Sequence, residues 1–284
     1  MQTRRRFLQW AGAGAAVSLT SAGSSLAEDS APAKSKPIGH AAVPFQLGLA
    51  SFSFRAFSLE QALAMTVRVG LKHICLKSMH LPLESKPEQI AQAAAKVKAA
   101  GLDLYGCGVV NMGNAAQVEQ AFEYAKTAGM RTIVGVPLPD VLPLVNEKVQ
   151  KYDIRVAIHN HGPGDKVYPR PEDAYEKIKK LDPRIGLCID IGHTVRIGGD
   201  PIRAAEQFAE RLLDVHIKDV SAATPSGRTV EAGRGVIDLP AFLRTLVKIR
   251  YAGVVSFEFE KDSKDPLPGL AESVGYVKGV LAVI

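Results

Sequence analysis

Polar and apolar residues alternate in four short runs in the second half of the chain, with the polar members always on one side. In GVVSFEFE (253–260), Glu258 and Glu260 alternate with Phe257 and Phe259. A strand sends successive side chains to opposite faces, so the carboxylates share one face and the rings the other. VAIHNHG (156–162) sets His159 and His161 against Val156 and Ile158. GLCIDIGH (186–193) sets Asp190 against Ile189 and Ile191, and DVHIKDV (214–220) sets His216 and Lys218 against Val215 and Ile217. Four successive strands that each end in polar groups on one face predict a barrel of parallel strands. Its apolar outer face meets helices, and its inner face opens at the C-terminal strand ends into a site.

The rest of the pattern fits strand-helix alternation. Phe45 to Phe54 reads as the first strand, and Ser58 caps a helix through about Val69. Gly70-Leu71, Gly101-Leu102 and Gly129-Met130 recur at intervals of 31 and 28 residues, each Gly closing a helix and each apolar residue opening a strand. Ser85 and Glu88 read as a capping box before the stripe Ile90, Ala93, Ala94 and Val97; Val118, Ala121, Phe122 and Ala125 form the next stripe. Further strands are expected near 154–160, 185–191, 212–219 and 253–260. Asp200-Pro201 and Asp238 start helices between them, and Ala174, Ile178 and Leu181 line the inner face of another. A doubly wound sheet calls for a Gly-rich phosphate loop after the first strand, where this chain has Phe52-Ser53-Phe54-Arg55. The expected fold is a single (β/α)8 TIM barrel spanning 45–284.

The first residues have another purpose. Thr3-Arg4-Arg5-Arg6-Phe7-Leu8-Gln9 has the order of a twin-arginine export signal, followed by the small-residue stretch 11–26 and a cleavage site after Ser25-Leu26-Ala27. The stretch is too rich in Gly, Ser and Ala to stay in a bilayer, which takes roughly 20 strongly apolar residues. The expectation is a signal peptide over 1–27, a flexible linker over 28–44, and an exported, periplasmic protein handled by the twin-arginine machinery. Removing Arg4, Arg5 and Arg6 lowers the basic count from 35 to 32 against 29 acidic residues, a formal charge of +3 rather than +6. That balance gives no nucleic-acid footprint. Cys75, Cys107 and Cys188 sit in apolar runs without metal-ligand spacing and read as small buried hydrophobes.

In a closed barrel the polar strand ends converge. His159, Asp190, His216 and Glu258, one from each of four consecutive strands, form a candidate site for one divalent metal ion. Two imidazoles and two carboxylates favour Mn, Co, Zn or Fe over Mg. Lys218 is a candidate donor to a substrate oxygen, or a base if burial and metal lower its pKa; the alternative is an ion pair with Asp219 or Glu260. Glu260 is a candidate base. His193, His161, Lys77, His80 and Arg234 are candidate sugar contacts on the same rim, and residues 221–235 are long enough to form a lid.

The segments IHNHG, GLCIDIGH, DVHIKD, GRGVIDLPAFLRTL and GVVSFEFE resemble the xylose isomerase-like barrel superfamily, in particular its sugar phosphate isomerase/epimerase branch, across about residues 45–283. That resemblance implies a metal held by Glu, Asp, His and Glu from the last four strands. The last three fall on Asp190, His216 and Glu258, whereas His159 stands in place of the first Glu. It also implies proton transfer at a carbon beside a carbonyl, with Glu258 and the residue at 159 as the catalytic pair. Export makes a sugar phosphate an improbable substrate and favours a keto-sugar or an oxidised glycoside. The expected activity is that of a metal-dependent isomerase or epimerase. The alternatives are a 3-keto-glycoside 1,2-lyase, in which the same proton abstraction is followed by loss of the C1 group, and a non-catalytic sugar-binding barrel.

Overall fold

The computed structural model of the protein describes residues 43–284. The expected export signal, residues 1–27, and residues 28–42 of the expected linker lie outside the described residues.

Eight parallel strands close a barrel: β1 (Gln46–Ala50), β2 (His73–Leu76), β3 (Asp103–Met112), β4 (Thr132–Pro137), β5 (Arg155–His159), β6 (Ile185–Asp190), β7 (Leu212–Ile217) and β10 (Val254–Phe257). A short antiparallel ribbon, β8 (Asp219–Val220) with β9 (Thr229–Val230), follows β7. Closure runs through β1, where Leu49 lies opposite Ile74 of β2 and Phe257 of β10. The expected first strand is thus shorter than 45–54, because Ser51–Phe54 turns into a 3₁₀ helix.

The alternation sorts the core as the pattern predicts. Val156, Ile158, Ile189, Val215, Ile217, Phe257 and Phe259 point outward into one large apolar layer shared with the helices. Inside the barrel a smaller cluster of Cys75, Tyr105, Val134, Ala157, Cys188 and Val254 forms a floor. The cysteines are free and buried.

Helix ends explain the repeat. Gly70, Gly101 and Gly129 have φ of 73°, 74° and 69°, and the apolar residue after each returns a hydrogen bond into the finished helix: Leu71 to Thr66, Leu102 to Val97 and Met130 to Ala125. These bonds satisfy carbonyls that the helix leaves open. Ser58, Asp200 and Asp238 cap helices as expected. The capping box at Ser85 and Glu88 is not formed. The helix Pro87–Ala99 starts one residue later, with Lys86 N–H donating to the Gln89 side chain, because Pro87 favours the first helical position.

The helix Leu239–Lys248 packs Phe242, Leu243 and Leu246 fully buried against the barrel. Phe242→Ala is expected to lower unfolding stability by about 3–5 kcal/mol in urea titration. A loss below about 1 kcal/mol would show that this layer does not carry the packing described.

Candidate metal centre

The C-terminal strand ends meet above the inner floor. His159 and Asp190 are the last residues of β5 and β6, His216 lies one before the end of β7, and Glu258 directly follows β10. All four are buried, at 4 % exposure or less. One ligand atom from each lies within 4.8 Å of every other. His159 Nε2 is 3.1 Å from His216 Nδ1 and 3.6 Å from Asp190 Oδ2, and His216 Nδ1 is 3.6 Å from Glu258 Oε2.

Local structure aims these groups. Asp190 Oδ1 caps the short helix Ile191–Arg196 by accepting from the His193 N–H at 2.8 Å, which leaves Oδ2 for the cluster. Asn160 braces the same turn: its Oδ1 accepts from Asp190 N–H at 3.0 Å, and its Nδ2 donates to Thr194 Oγ1 at 3.1 Å. A Cβ on Gly192 would lie 2.5 Å from the Lys218 carbonyl, so only glycine lets that helix start so close to the end of β7.

Lys218 has the strongest electrostatic position. Its side chain is 1 % exposed, with Nζ 2.8 Å from Glu258 Oε2, 2.9 Å from Glu260 Oε1 and 3.1 Å from Asp190 Oδ2. Burial opposes its charge, but Asp190, Glu258 and Glu260 together outweigh that and hold the ammonium above the ordinary lysine range. Of the two ion pairs expected as its alternative role, the one with Glu260 is formed and the one with Asp219 is not found among the described residues, and the three carboxylates favour the ammonium form. Burial likewise resists charge on Glu258, yet Lys218 and His216 hold its carboxyl well below the usual range. His193 and Lys218 do the same for Asp190. Burial pushes His159 down and keeps it neutral, the form that binds metals. His216 goes the other way, because Glu258, Asp214 and Asp190 outweigh its burial.

The donor set fits a divalent ion. The atoms that face one another are His159 Nε2, His216 Nδ1, Asp190 Oδ2 and Glu258 Oε2, two imidazole nitrogens and two carboxylate oxygens, a donor set that suits a divalent transition metal. One ammonium, that of Lys218, is shared by Asp190, Glu258 and Glu260. His159, Cys188 and His216 form a second possible set, but burial pushes the Cys188 thiol well up and disfavours thiolate there.

The other expected residues divide. His193 joins the cluster, with Nε2 3.2 Å from Lys218 Nζ, and His161 lies beside it, its ring centroid 4.5 Å from that of His159. Glu260 is partly exposed at the mouth and fixed by Lys218. Lys77 lies on the rim over the Phe52 ring, 4.9 Å from its centroid. His80 is not a rim contact: it is buried, with its nitrogens 2.8 Å from Ser51 Oγ and 3.2 Å from the Phe54 carbonyl, where it braces the turn after β1. Arg234 turns outward into a two-pronged pair with Glu272 at 2.5 and 2.8 Å. The segment 221–235 is pinned, because the buried Asp219 carboxylate accepts N–H bonds from Val220, Gly233, Gly235 and Ile237. Asp219 and Asn160 stand inside the motifs HIKD and IHNHG, so their placement beside ligand candidates was the available signal. Asp214 was also missed. It faces inward two residues before His216, and burial pushes its carboxyl up to about 7.

Burial lowers the pKa of His80, His159, His161 and His193, whereas His216 and the Asp214 carboxyl are raised. Four groups that lose proton affinity on folding outnumber two that gain it, so near the ordinary histidine value of about 6.5 the unfolded chain binds more protons than the folded one and stability falls as pH falls. Melting of the metal-free protein followed by circular dichroism is expected to give a lower Tm at pH 5.5 than at pH 7.5. A Tm that rises on acidification would contradict these assignments.

Comparison with known proteins gives the same frame. The chain is 27% identical to the Rhizopine catabolism protein MocC of Rhizobium meliloti over 147 residues, 46% of this chain and 43% of that protein. It is 27% identical to the inosose isomerase of Bacillus subtilis (strain 168) over 157 residues, 48% of this chain and 56% of that one. It thus spans about half the length of these curated relatives. Among solved structures, the IolI protein with a bound zinc atom superimposes with a TM-score of 0.70 at 20% identity, over 84% of this chain and 98% of that one. The 3-keto-D-glucoside 4-epimerase YcjR from E. coli does so with a TM-score of 0.69 at 16% identity, over 83% and 99%. At these identities the likeness shows the fold. The family model for the xylose isomerase-like TIM barrel matches residues 57–280, most of the chain and every strand from β2 to β10, and the chain belongs to that family.

Proposed function

We propose that the protein is a metal-dependent enzyme that removes a proton from the carbon beside a carbonyl in a sugar or sugar-like substrate. The observation that carries this reading is the buried cluster of His159, Asp190, His216 and Glu258, with one ligand atom from each within 4.8 Å, at the mouth of the barrel. A divalent ion bound there supplies Lewis-acid polarisation of the substrate carbonyl.

The chain's own residues do the rest. Glu258 is held ionised, so it is ready to accept a proton. Lys218 fixes Glu258 and Glu260 at 2.8 and 2.9 Å and presents positive charge where an oxyanion develops. Glu260, the more exposed carboxylate, is the second group able to carry a proton. His193, kept neutral by burial, orients a substrate hydroxyl. His159, in place of a carboxylate, leaves one acid fewer for returning the proton.

Proton return gives isomerisation or epimerisation, and loss of a neighbouring group gives elimination. The names of similar proteins divide in the same way: an inosose isomerase and a 3-keto-D-glucoside 4-epimerase on one side, an inosose dehydratase of Geobacillus kaustophilus (strain HTA426) on the other. The twin-arginine order of Thr3 to Gln9 supports an extracytoplasmic keto-sugar or oxidised glycoside as substrate; with His159 in place of a carboxylate, proton return rests on Glu260 alone, and loss of the C1 group from a 3-keto-glycoside is the competing outcome.

Incubating the metal-loaded protein with a 3-keto-glucoside in deuterated water is expected to place deuterium at C2 by NMR, with release of the C1 group. Glu258→Gln is expected to slow that exchange by about 100-fold or more; exchange at the wild-type rate would remove Glu258 as the base. In metal analysis after dialysis, His159→Ala is expected to retain well under one ion per chain. Full occupancy would exclude His159 as a ligand.

A further inference from the structure

The segment after β5 folds back on itself as a closed loop. His161 N–H donates to the Tyr168 carbonyl at 3.2 Å and Gly162 N–H to the Pro169 carbonyl at 3.0 Å, which joins its two ends. Tyr168 is fully buried and its hydroxyl donates to the Pro137 carbonyl at 2.7 Å, so the loop is anchored to the end of β4. On the other side it packs against the turn after β6. Gly162 has φ of 71°, and a Cβ there would lie 2.7 Å from the His193 carbonyl. Within this frame the Asp165 carboxylate is fixed through one oxygen, because Oδ1 accepts from Val167 N–H at 2.6 Å and from Tyr168 N–H at 2.8 Å. Its other oxygen, Oδ2, faces His161 Nδ1 at 3.4 Å.

Of the four imidazoles packed together here, His161 is the one a solute can reach. Its ring centroid lies 4.5 Å from that of His159 and 5.9 Å from that of His193. Its side chain is nevertheless 37 % exposed, against 1 % for His159, 2 % for His216 and 12 % for His193. Burial favours the neutral ring, against the pull of Asp165. A neutral imidazole carries one proton, so its two nitrogens differ: one donates and the other accepts. A lone pair facing a carboxylate oxygen is repelled, whereas an N–H is attracted. Nδ1 therefore carries the proton, and Nε2 is left as the acceptor.

We propose that Asp165 is a positioning residue that fixes His161 as a hydrogen-bond acceptor for a hydroxyl of the substrate. The carboxylate acts through the imidazole, by deciding which of its nitrogens bears the proton. A hydroxyl that donates to Nε2 keeps its oxygen lone pairs for cations and donors at the cluster, whereas a carbonyl oxygen in the same place would meet a lone pair. The site thus selects a sugar that presents a free hydroxyl on the β5 side and places its carbonyl elsewhere. This role rests on the reading of a sugar-like substrate, but the protonated nitrogen can be observed without any ligand.

Asp165→Asn separates this role from folding. Its side-chain oxygen can keep the N–H bonds of Val167 and Tyr168, which turns the amide NH₂ to His161 as a donor to Nδ1. In nitrogen-15 NMR of the imidazoles at neutral pH, assigned with His161→Ala, the wild-type protein is expected to show Nδ1–H and a bare Nε2 at His161. Asp165→Asn is expected to show the reverse, with an unchanged circular dichroism spectrum. Titration calorimetry of the zinc-loaded proteins with methyl 3-keto-β-D-glucoside is expected to give binding about tenfold weaker in Asp165→Asn at unchanged zinc content. A proton on Nε2 in the wild-type protein overturns the proposal whether or not the variant folds. So does a tautomer that Asp165→Asn leaves in place, or equal affinities of the two proteins, no binding to either included. Tautomers and affinities as expected in a protein that exchanges no deuterium would uphold the role of Asp165 and reject the proton-abstraction reading, so the two fail separately.

Discussion

Asp190 and Glu258 are carboxylates almost wholly removed from water, and a buried carboxylate persists only against a cation. Lys218 is that cation for both, and for Glu260. One ammonium is shared by three carboxylates, the carboxylate Glu258 raises the pKa of His216 against its burial, and burial holds His159 neutral. Two imidazole nitrogens and two carboxylate oxygens thereby face one another, the donor set of a divalent ion. The candidate chemistry depends on that convergence.

The fold delivers it cheaply. Each strand spends its outward residues on the apolar layer and its inward residues on the floor or the site, so consecutive strands bring their terminal polar groups to one point without any long loop reaching across. Secondary contacts then fix orientation. Asp190 divides its two oxygens between a helix cap and the cluster, Asn160 braces the turn beside it, and Asp219 ties down the segment after β7 through four backbone N–H groups.

Much of this was legible in the chain. Period-two alternation determines which side chains share a face, so the inward set His159, Asp190, His216 and Glu258 followed from spacing alone. The helix-ending glycines were equally plain in three places. A fourth helix ends in the same way at Arg250, with φ of 55° and Tyr251 returning its N–H to Leu246, but Arg carries no glycine signal and the repeat was invisible there. What failed were properties set by neighbours distant in sequence. The charge state of Lys218 depends on three carboxylates from β6 and the β10 end. His80 was drawn under the rim by Ser51 and Phe54, and Arg234 outward by Glu272.

The most direct test of the central claim is anomalous diffraction from crystals of the protein grown with zinc, collected on both sides of the zinc edge. The account predicts one strong anomalous peak within bonding distance of His159, Asp190, His216 and Glu258, with the Lys218 ammonium retained on Glu260. Full-occupancy zinc elsewhere, or ordered water alone between these four residues, would contradict it.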